Sequence, residues 1–343
     1  MSAVRHRRAG RAVVSAAVVF VVAQLALHAA LETVRPEWRD PEFGWRIKAL
    51  RSLDREGRPL VVAFGSSRTQ MGLSPRDLGP GAPTVFNFGQ AGAGPIQTLL
   101  NLRRVLESGI RPDAVLVEIM PATLAYTGNT ESFYHDSLVR LDHADLRRLA
   151  PYCASPDSFP ARWFAARAIP WYSQRQLLLS HWQPTLLHWK QRIDFQWRLM
   201  DDRGWAKFPF DAIDDDFRRT QTAQTLAQYR ATLKDFAIAP IAERLLNDTV
   251  DLCRQAGIPL AFYLMPEAEE FRRMLSADRR KQLDEFLTSF AADRGVRIFD
   301  CSDWLNDASF SDGHHLLATG ARDFSHRFGQ DCLAGWYELR RDH

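Results

Sequence analysis

Five short apolar runs mark the chain, each continuous rather than alternating: "PLVVAF" (59–64), "TVFNF" (84–88), "DAVLVEI" (113–119), "IPLAFYLM" (258–265) and "VRIF" (296–299). A strand with one wet face alternates apolar with polar residues. An unbroken run suits a strand covered on both faces, as in a parallel sheet. Helical patterns lie between several of the runs. "PIQTLLNLRRVLESG" (95–109) sets Ile96, Leu99, Leu100, Leu102 and Leu106 along one broad side and ends at Gly109, suited to the left-handed position after a helix. "TAQTLAQYRATLKDFAIAPIAERLLNDTVDLCRQAG" precedes the fourth run, and "EAEEFRRMLSADRRKQLDEFLTSFAADRG" precedes the fifth. This alternation predicts an α/β fold, a doubly wound five-stranded parallel sheet.

Residues 120–257 separate the third and fourth runs, far beyond a normal crossover. The part from Thr130 to Asp216 therefore reads as a helical insertion. It carries Trp163, Trp171, Trp182, Trp189, Trp197 and Trp205, and from Trp182 onward the spacing is seven or eight residues, about two helical turns. A helical hairpin packed by tryptophans accounts for this. A sugar-stacking platform and a membrane-facing lid are the functional readings of the same residues. The expected layout is a basic flank and membrane anchor over 1–34, the first part of the α/β domain over 35–129, the insertion over 130–216, and the rest of the α/β domain over 217–343.

The N-terminus changes the picture most. Arg5, Arg7, Arg8 and Arg11 precede Ala12 to Leu31, 20 residues without Asp, Glu, Lys or Arg. At about 1.5 Å per residue such a helix reaches about 30 Å, the thickness of a bilayer's hydrocarbon core. The basic flank belongs in the cytoplasm, which puts everything after Leu31 outside, with Trp38 and Trp45 near the outer interface. The rival reading is a cleaved signal peptide, with small residues at Ala29 and Ala30, although the apolar run is long for one. A buried helix of a soluble protein conflicts with the arginine cluster.

The remaining composition excludes more than it suggests. The 343 residues carry a formal charge of +3 with acids and bases mixed throughout, so there is no basic stripe for nucleic acid. Cys153, Cys253, Cys301 and Cys332 form no CxxC pair, which argues against a zinc or thioredoxin-type site. Pairing in an oxidising compartment and four buried free thiols are both open. His135, His181 and His188 have no metal-ligand spacing with a carboxylate and read as structural.

In a doubly wound sheet, ligands bind beyond the carboxyl ends of the strands. There the chain places Gly65-Ser66-Ser67-Arg68 after the first strand, the glycines of "NFGQAGAGP" after the second, and Asp312 and His315, three residues apart, after the fifth. A serine nucleophile needs a base to take its proton, and the base needs an acceptor on its other nitrogen. Asp-x-x-His supplies both from one loop. His314 is a rival base, but the spacing to Asp312 and the following Leu316 favour His315.

These motifs resemble those of the SGNH or GDSL hydrolases. Gly65-Ser66-Ser67 is similar to their Gly-Asp-Ser block and implies Ser67 as nucleophile, with Ser66 where aspartate is usual. Asn87-Phe88-Gly89-Gln90-Ala91-Gly92 is similar to the block that supplies an oxyanion glycine, which implies Gly92 beside the Ser67 N–H. Asp312-Gly313-His314-His315-Leu316 with Gly320 fits the final block. The third block, Gly-x-Asn-Asp, is missing, and "EIMPAT" stands in its place. One oxyanion donor is thereby lost, a loss typically worth about 10²–10³ in rate, and Thr123 is the candidate replacement.

Further candidates are Arg68 for an anionic substrate or an acidic partner, Asn87 for the substrate or for tying its own loop, and Glu118 as an acceptor at the strand end. Behind an anchor, the pattern is similar to membrane-tethered proteins of bacterial envelopes that act in O-acetylation or D-alanylation of surface polymers. The resemblance implies a single-pass inner-membrane protein facing the periplasm or cell exterior. It would be a serine esterase or O-acyltransferase on an acylated envelope glycan, without cofactor or metal. The alternatives are a degenerate scaffold that binds glycan or a membrane acyltransferase partner, and a lipid-active esterase with the tryptophan segment as lid.

Overall fold

A computed structural model describes residues 2–34, 36–125, 138–153, 155–188 and 191–338. The expected start of the insertion at residue 130, His135 and Trp189 lie outside the described residues. The principal elements are α1 (Ser2–Ala29), β1 (Leu60–Phe64), α2 (Ser67–Gly72), β2 (Thr84–Asn87), α3 (Pro95–Glu107), β3 (Ala114–Glu118), α4 (Pro121–Leu124), α5 (Phe159–Arg167) and α6 (Pro170–Trp182). They continue with α7 (Asp215–Lys234), α8 (Pro240–Gln255), β4 (Leu260–Leu264), α9 (Ala277–Arg294), β5 (Arg297–Asp300) and α10 (Ala318–Phe328). Two compact units divide the chain: residues 1–45 with 131–195, and residues 46–130 with 196–343.

The second unit is an α/β fold around one five-stranded sheet in the order β2-β1-β3-β4-β5. Every pairing is parallel, with Leu60 opposite Thr84, Val61 opposite Ala114, Val115 opposite Leu260 and Ala261 opposite Arg297. Successive side chains of a strand point to opposite faces, so both faces need cover. Val61, Ala63, Val85, Leu116, Ala261 and Phe299 share a core with Phe324 and Phe328 of α10. On the opposite face, Phe262 meets Phe290 of α9 with ring centroids 5.7 Å apart. This is why β1 to β4 read as unbroken apolar runs. β5 differs: it lies at the sheet edge, only Phe299 is buried, and Arg297 and Asp300 are exposed.

Capping residues set the ends of the helices. Gly109 follows α3 with φ +82°, and Gly295 closes α9 in the left-handed region. The segment before β4 is two helices rather than one, because Pro240 occupies the first turn of α8 where its missing N–H is tolerated. All four cysteines are buried free thiols. Burial pushes the Cys253 thiol up to about 12 and the Cys153 thiol up to about 11, which makes them poor nucleophiles.

The tryptophan spacing does not mark one helical hairpin. A 3-10 turn, Pro184–Leu186, follows Trp182. Trp205 belongs to the sheet unit, where its indole Nε1 donates to the Met71 carbonyl at 2.7 Å. Its loop extends the end of β2: Asn87 N donates to Arg203 O at 2.8 Å, and Ala206 N to Gln70 O at 3.1 Å.

The first unit holds α1, and the stretch Ala9–Val34 is long and apolar enough to cross a membrane. Its Val14, Val18, Phe20 and Val22 side chains are exposed. Beyond it, Arg39 donates to Glu32 at 3.1 Å and to the Arg140 carbonyl, and Arg140 pairs with Glu42 at 3.0 Å. Trp38 meets Trp182 edge-to-face at 4.7 Å.

Gly204 has φ +86°, and a Cβ there would lie 2.1 Å from the Asn87 carbonyl oxygen. Gly204→Ala is expected to lower stability by at least about 2 kcal/mol through left-handed strain and overpacking, read as a fall in the denaturation midpoint.

Candidate active site

β1 ends at Gly65, and the chain turns at once into α2. The glycine is required by what crowds it: a Cβ at Gly65 would sit 2.1 Å from Thr69 Oγ1 and 2.5 Å from Glu118 Oε2. Ser66 is the N-cap of α2, its Oγ accepting from the Arg68 N–H at 3.1 Å. That places Ser67 at the first helical position. Its backbone N–H has no intrahelical acceptor there, as for any residue of a first turn.

Glu118, at the end of β3, holds this turn. Its carboxylate accepts from the Ser66 N–H at 2.7 Å, from Ser66 Oγ at 2.9 Å and from Thr69 Oγ1 at 2.7 Å. Tyr263 stands behind Thr69, with its hydroxyl 2.7 Å from Thr69 Oγ1. Burial and the nearby Glu118 charge push the Tyr263 phenol well above its ordinary value, so it remains a neutral donor. Arg68 supplies the countercharge. Its Nε is 3.6 Å from Glu118, its Nη1 donates to Glu267 at 2.9 Å, and its Nη2 donates to the Met265 carbonyl at 2.8 Å.

The second half of the site is a loop closed on itself. Phe310 and Leu316 form an antiparallel bridge, and Ser311 N donates to His315 O at 2.9 Å. Gly313 turns the loop at φ +91°, a left-handed conformation that glycine adopts without strain. Asp312 Oδ1 then accepts from the His315 N–H at 2.8 Å, while Oδ2 lies 2.7 Å from His315 Nδ1. His315 Nε2 is 2.8 Å from Ser67 Oγ. With Nδ1–H donating to the carboxylate, Nε2 is the free lone pair and accepts from the serine hydroxyl.

Burial pushes the Asp312 carboxyl up, but the hydrogen bonds from the His315 ring and the His315 backbone N–H hold it well below the usual carboxylate range. It is therefore an anion facing the imidazole, able to stabilise an imidazolium. His314 turns the other way. Its ring packs against Tyr229 and Phe271 at 5.2 and 5.0 Å and edge-on to His315 at 4.0 Å. Burial, aided by His315, lowers its pKa well below the ordinary value, so it is a neutral wall. The ligand atoms of Asp312, His314 and His315 lie within 4.8 Å of one another, but both His315 nitrogens already face protein groups.

The other candidates are placed differently from Ser67, Asp312 and His315. Arg68 is 1% exposed and its guanidinium is engaged with Glu118, Glu267 and two carbonyls, so it does not face a substrate. Glu118 is turned inward on α2. Asn87 is fully buried: its Nδ2 donates to the Thr69 and Leu73 carbonyls, both at 2.7 Å, and its Oδ1 accepts from Gly89 N at 2.9 Å. These three side chains build the site from behind rather than bind within it. The Thr123 hydroxyl donates to the Met120 carbonyl at 2.8 Å, which occupies its only proton. Gly92 is exposed at φ +74° with open space above it.

Thr69, Tyr229, Tyr263, Glu267 and Phe271 were not anticipated. Glu267 follows β4 at the carboxyl end of the sheet, the end at which such sheets bind ligands, but no motif marks it. Tyr263 sits inside the apolar run of β4, which hides its hydroxyl, and Tyr229 lies on a largely polar helix without a motif.

Glu118→Ala strips the buried Arg68 of one partner and leaves the Ser66 N–H unpaired, so a loss of about 3–5 kcal/mol is expected in denaturant melts, with Glu118→Gln losing less. Asp312 has a depressed folded pKa, so its contribution to stability is full above the ordinary carboxylate pKa of about 4 and is lost as pH falls from there toward the folded value. Asp312→Asn is therefore expected to flatten that acid limb of the melting temperature. Compared with known proteins, the chain matches no family and no curated protein.

Proposed function

We propose that this chain is a membrane-anchored, extracytoplasmic SGNH-like serine esterase or O-acyltransferase acting on an acylated cell-envelope glycan. The observation that carries the chemistry is the unbroken relay from Ser67 Oγ through His315 to Asp312, at 2.8 and 2.7 Å. Ser67 Oγ attacks the ester carbonyl as His315 Nε2 takes its proton. The carbonyl π pair moves to oxygen, and the Ser67 and Gly92 N–H groups are the donors assigned to that oxyanion. Collapse expels the alkoxide, which takes the proton back from Nε2, and Ser67 keeps the acyl group. Water or a sugar hydroxyl then repeats the steps in reverse, with His315 as base. Asp312 fixes the tautomer and remains charged.

The glycan and the compartment rest on the motif resemblance and on the apolar α1. A catalytically degenerate scaffold is the second reading. It is favoured by the Thr123 hydroxyl, which is bound to Met120 O and so does not stand in for the missing asparagine.

A fluorophosphonate probe is expected to label the full chain at Ser67, with labelling lost in Ser67→Ala. Hydrolysis of an activated acetyl ester is expected to fall by about 10⁴ in Asp312→Asn, from loss of the correct tautomer. Thr123→Val should leave the rate unchanged, since its proton serves the backbone. Absence of both labelling and turnover in the wild type would replace this reading with the scaffold.

A further inference from the structure

The first unit contains an apolar hairpin tip that is left uncovered among the described residues. α5 and α6 meet at residues 168–169, and around that turn Phe164, Ile169, Trp171 and Tyr172 are exposed by 68, 47, 47 and 66%. Between Arg162 and Arg175 the only charged residue is Arg167. Arg167 is 3% exposed, ion-pairs with Glu32, donates to Leu141 O at 2.5 Å and lies over the Trp163 ring at 4.4 Å. The tip thus presents no charge outward. Arg175, one turn further along α6, stacks on Tyr172 at 4.3 Å.

The level of this tip is fixed by α1. The backbone N–H of Trp171 donates to Gln24 Oε1 at 3.1 Å. Gln24 lies seven residues before Leu31, the last residue of the uncharged stretch, or about 10 Å inside it along the helix. From there α6 rises alongside until Trp182 meets Trp38. The bond is the kind a bilayer demands. The first N–H groups of a helix have no intrahelical acceptor, and a glutamine in a membrane span has no water, so each satisfies the other. Pro170, at the first position of α6, has no N–H to satisfy.

We propose that the α5–α6 tip is inserted in the outer leaflet of the bilayer that α1 crosses, making the first unit a one-span protein with a second, re-entrant contact. The inference rests on α1 as an uncleaved anchor. Its occupant is lipid: apolar side chains at acyl-chain depth, tryptophan and tyrosine near the interface, and Arg175 toward the headgroups.

The test uses nitroxide labels on the full chain reconstituted in phosphatidylglycerol/phosphatidylethanolamine vesicles; its own cysteines are buried. Labels are placed one at a time at Tyr172→Cys, at Val18→Cys within α1 and at Lys281→Cys on the exposed side of α9. The ratio of collisions with oxygen to collisions with a water-soluble nickel chelate is expected to be several-fold higher at 172 and 18 than at 281. A lipid value at 18 with a water value at 172 overturns the insertion and leaves the anchor standing. Water values at both overturn the anchor, and the insertion with it. Shielding of 172 from both reagents identifies a protein partner or a second copy, and overturns the lipid assignment.

Discussion

The sheet unit depends on one buried carboxylate. Glu118 lies where β1 and β3 part, the point at which the 2-1-3-4-5 order reverses direction and a crevice opens. Here that switch point holds a buried carboxylate that accepts three hydrogen bonds from a single turn, Ser66 to Thr69. An ionised carboxylate in that position costs several kcal/mol of desolvation unless it is bonded and paired. Arg68 pairs it, and Glu267 and two carbonyls in turn hold Arg68. The turn carrying Ser67 is thereby fixed from below, while its exposed side remains free for His315.

This arrangement accounts for the residue at position 66. In the hydrolases that the motif resembles, aspartate is usual there. An aspartate in this chain would set a second carboxylate within hydrogen-bonding distance of Glu118, and two such charges cannot both stay ionised at close range. Serine donates to Glu118 and still accepts from the Arg68 N–H, so one hydroxyl serves both the ion network and the helix cap. The Gly-Ser-Ser-Arg stretch is thus both a cap and the support of a hydroxyl that meets an imidazole.

The parallel sheet was legible because β1 to β4 are covered on both faces and their apolar runs are unbroken. The Ser67, Asp312 and His315 constellation was legible because turns after parallel strands converge on one edge, and because Asp-x-x-His is a local motif. Arg68, Asn87 and Glu118 were legible as residues of the site but not in direction. A polar side chain at a strand end points into the cleft or back beneath it, and only the packing of α2 on β3 decides which. The tryptophan segment misled because similar spacings arise from a helix and from unrelated loops: Trp182 ends α6, whereas Trp205 anchors a loop beside β2.

Ser67 and His315 stand 248 residues apart in the chain. A contact of such sequence separation carries a high loop-closure cost and forms slowly. During synthesis, Ser67 is made long before the histidine that its hydroxyl meets. A chain clipped before the Asp312–His315 loop carries a Ser67 hydroxyl without its imidazole partner. Ordering along the polypeptide in this way makes the serine–imidazole contact a property of the folded chain rather than of any local segment.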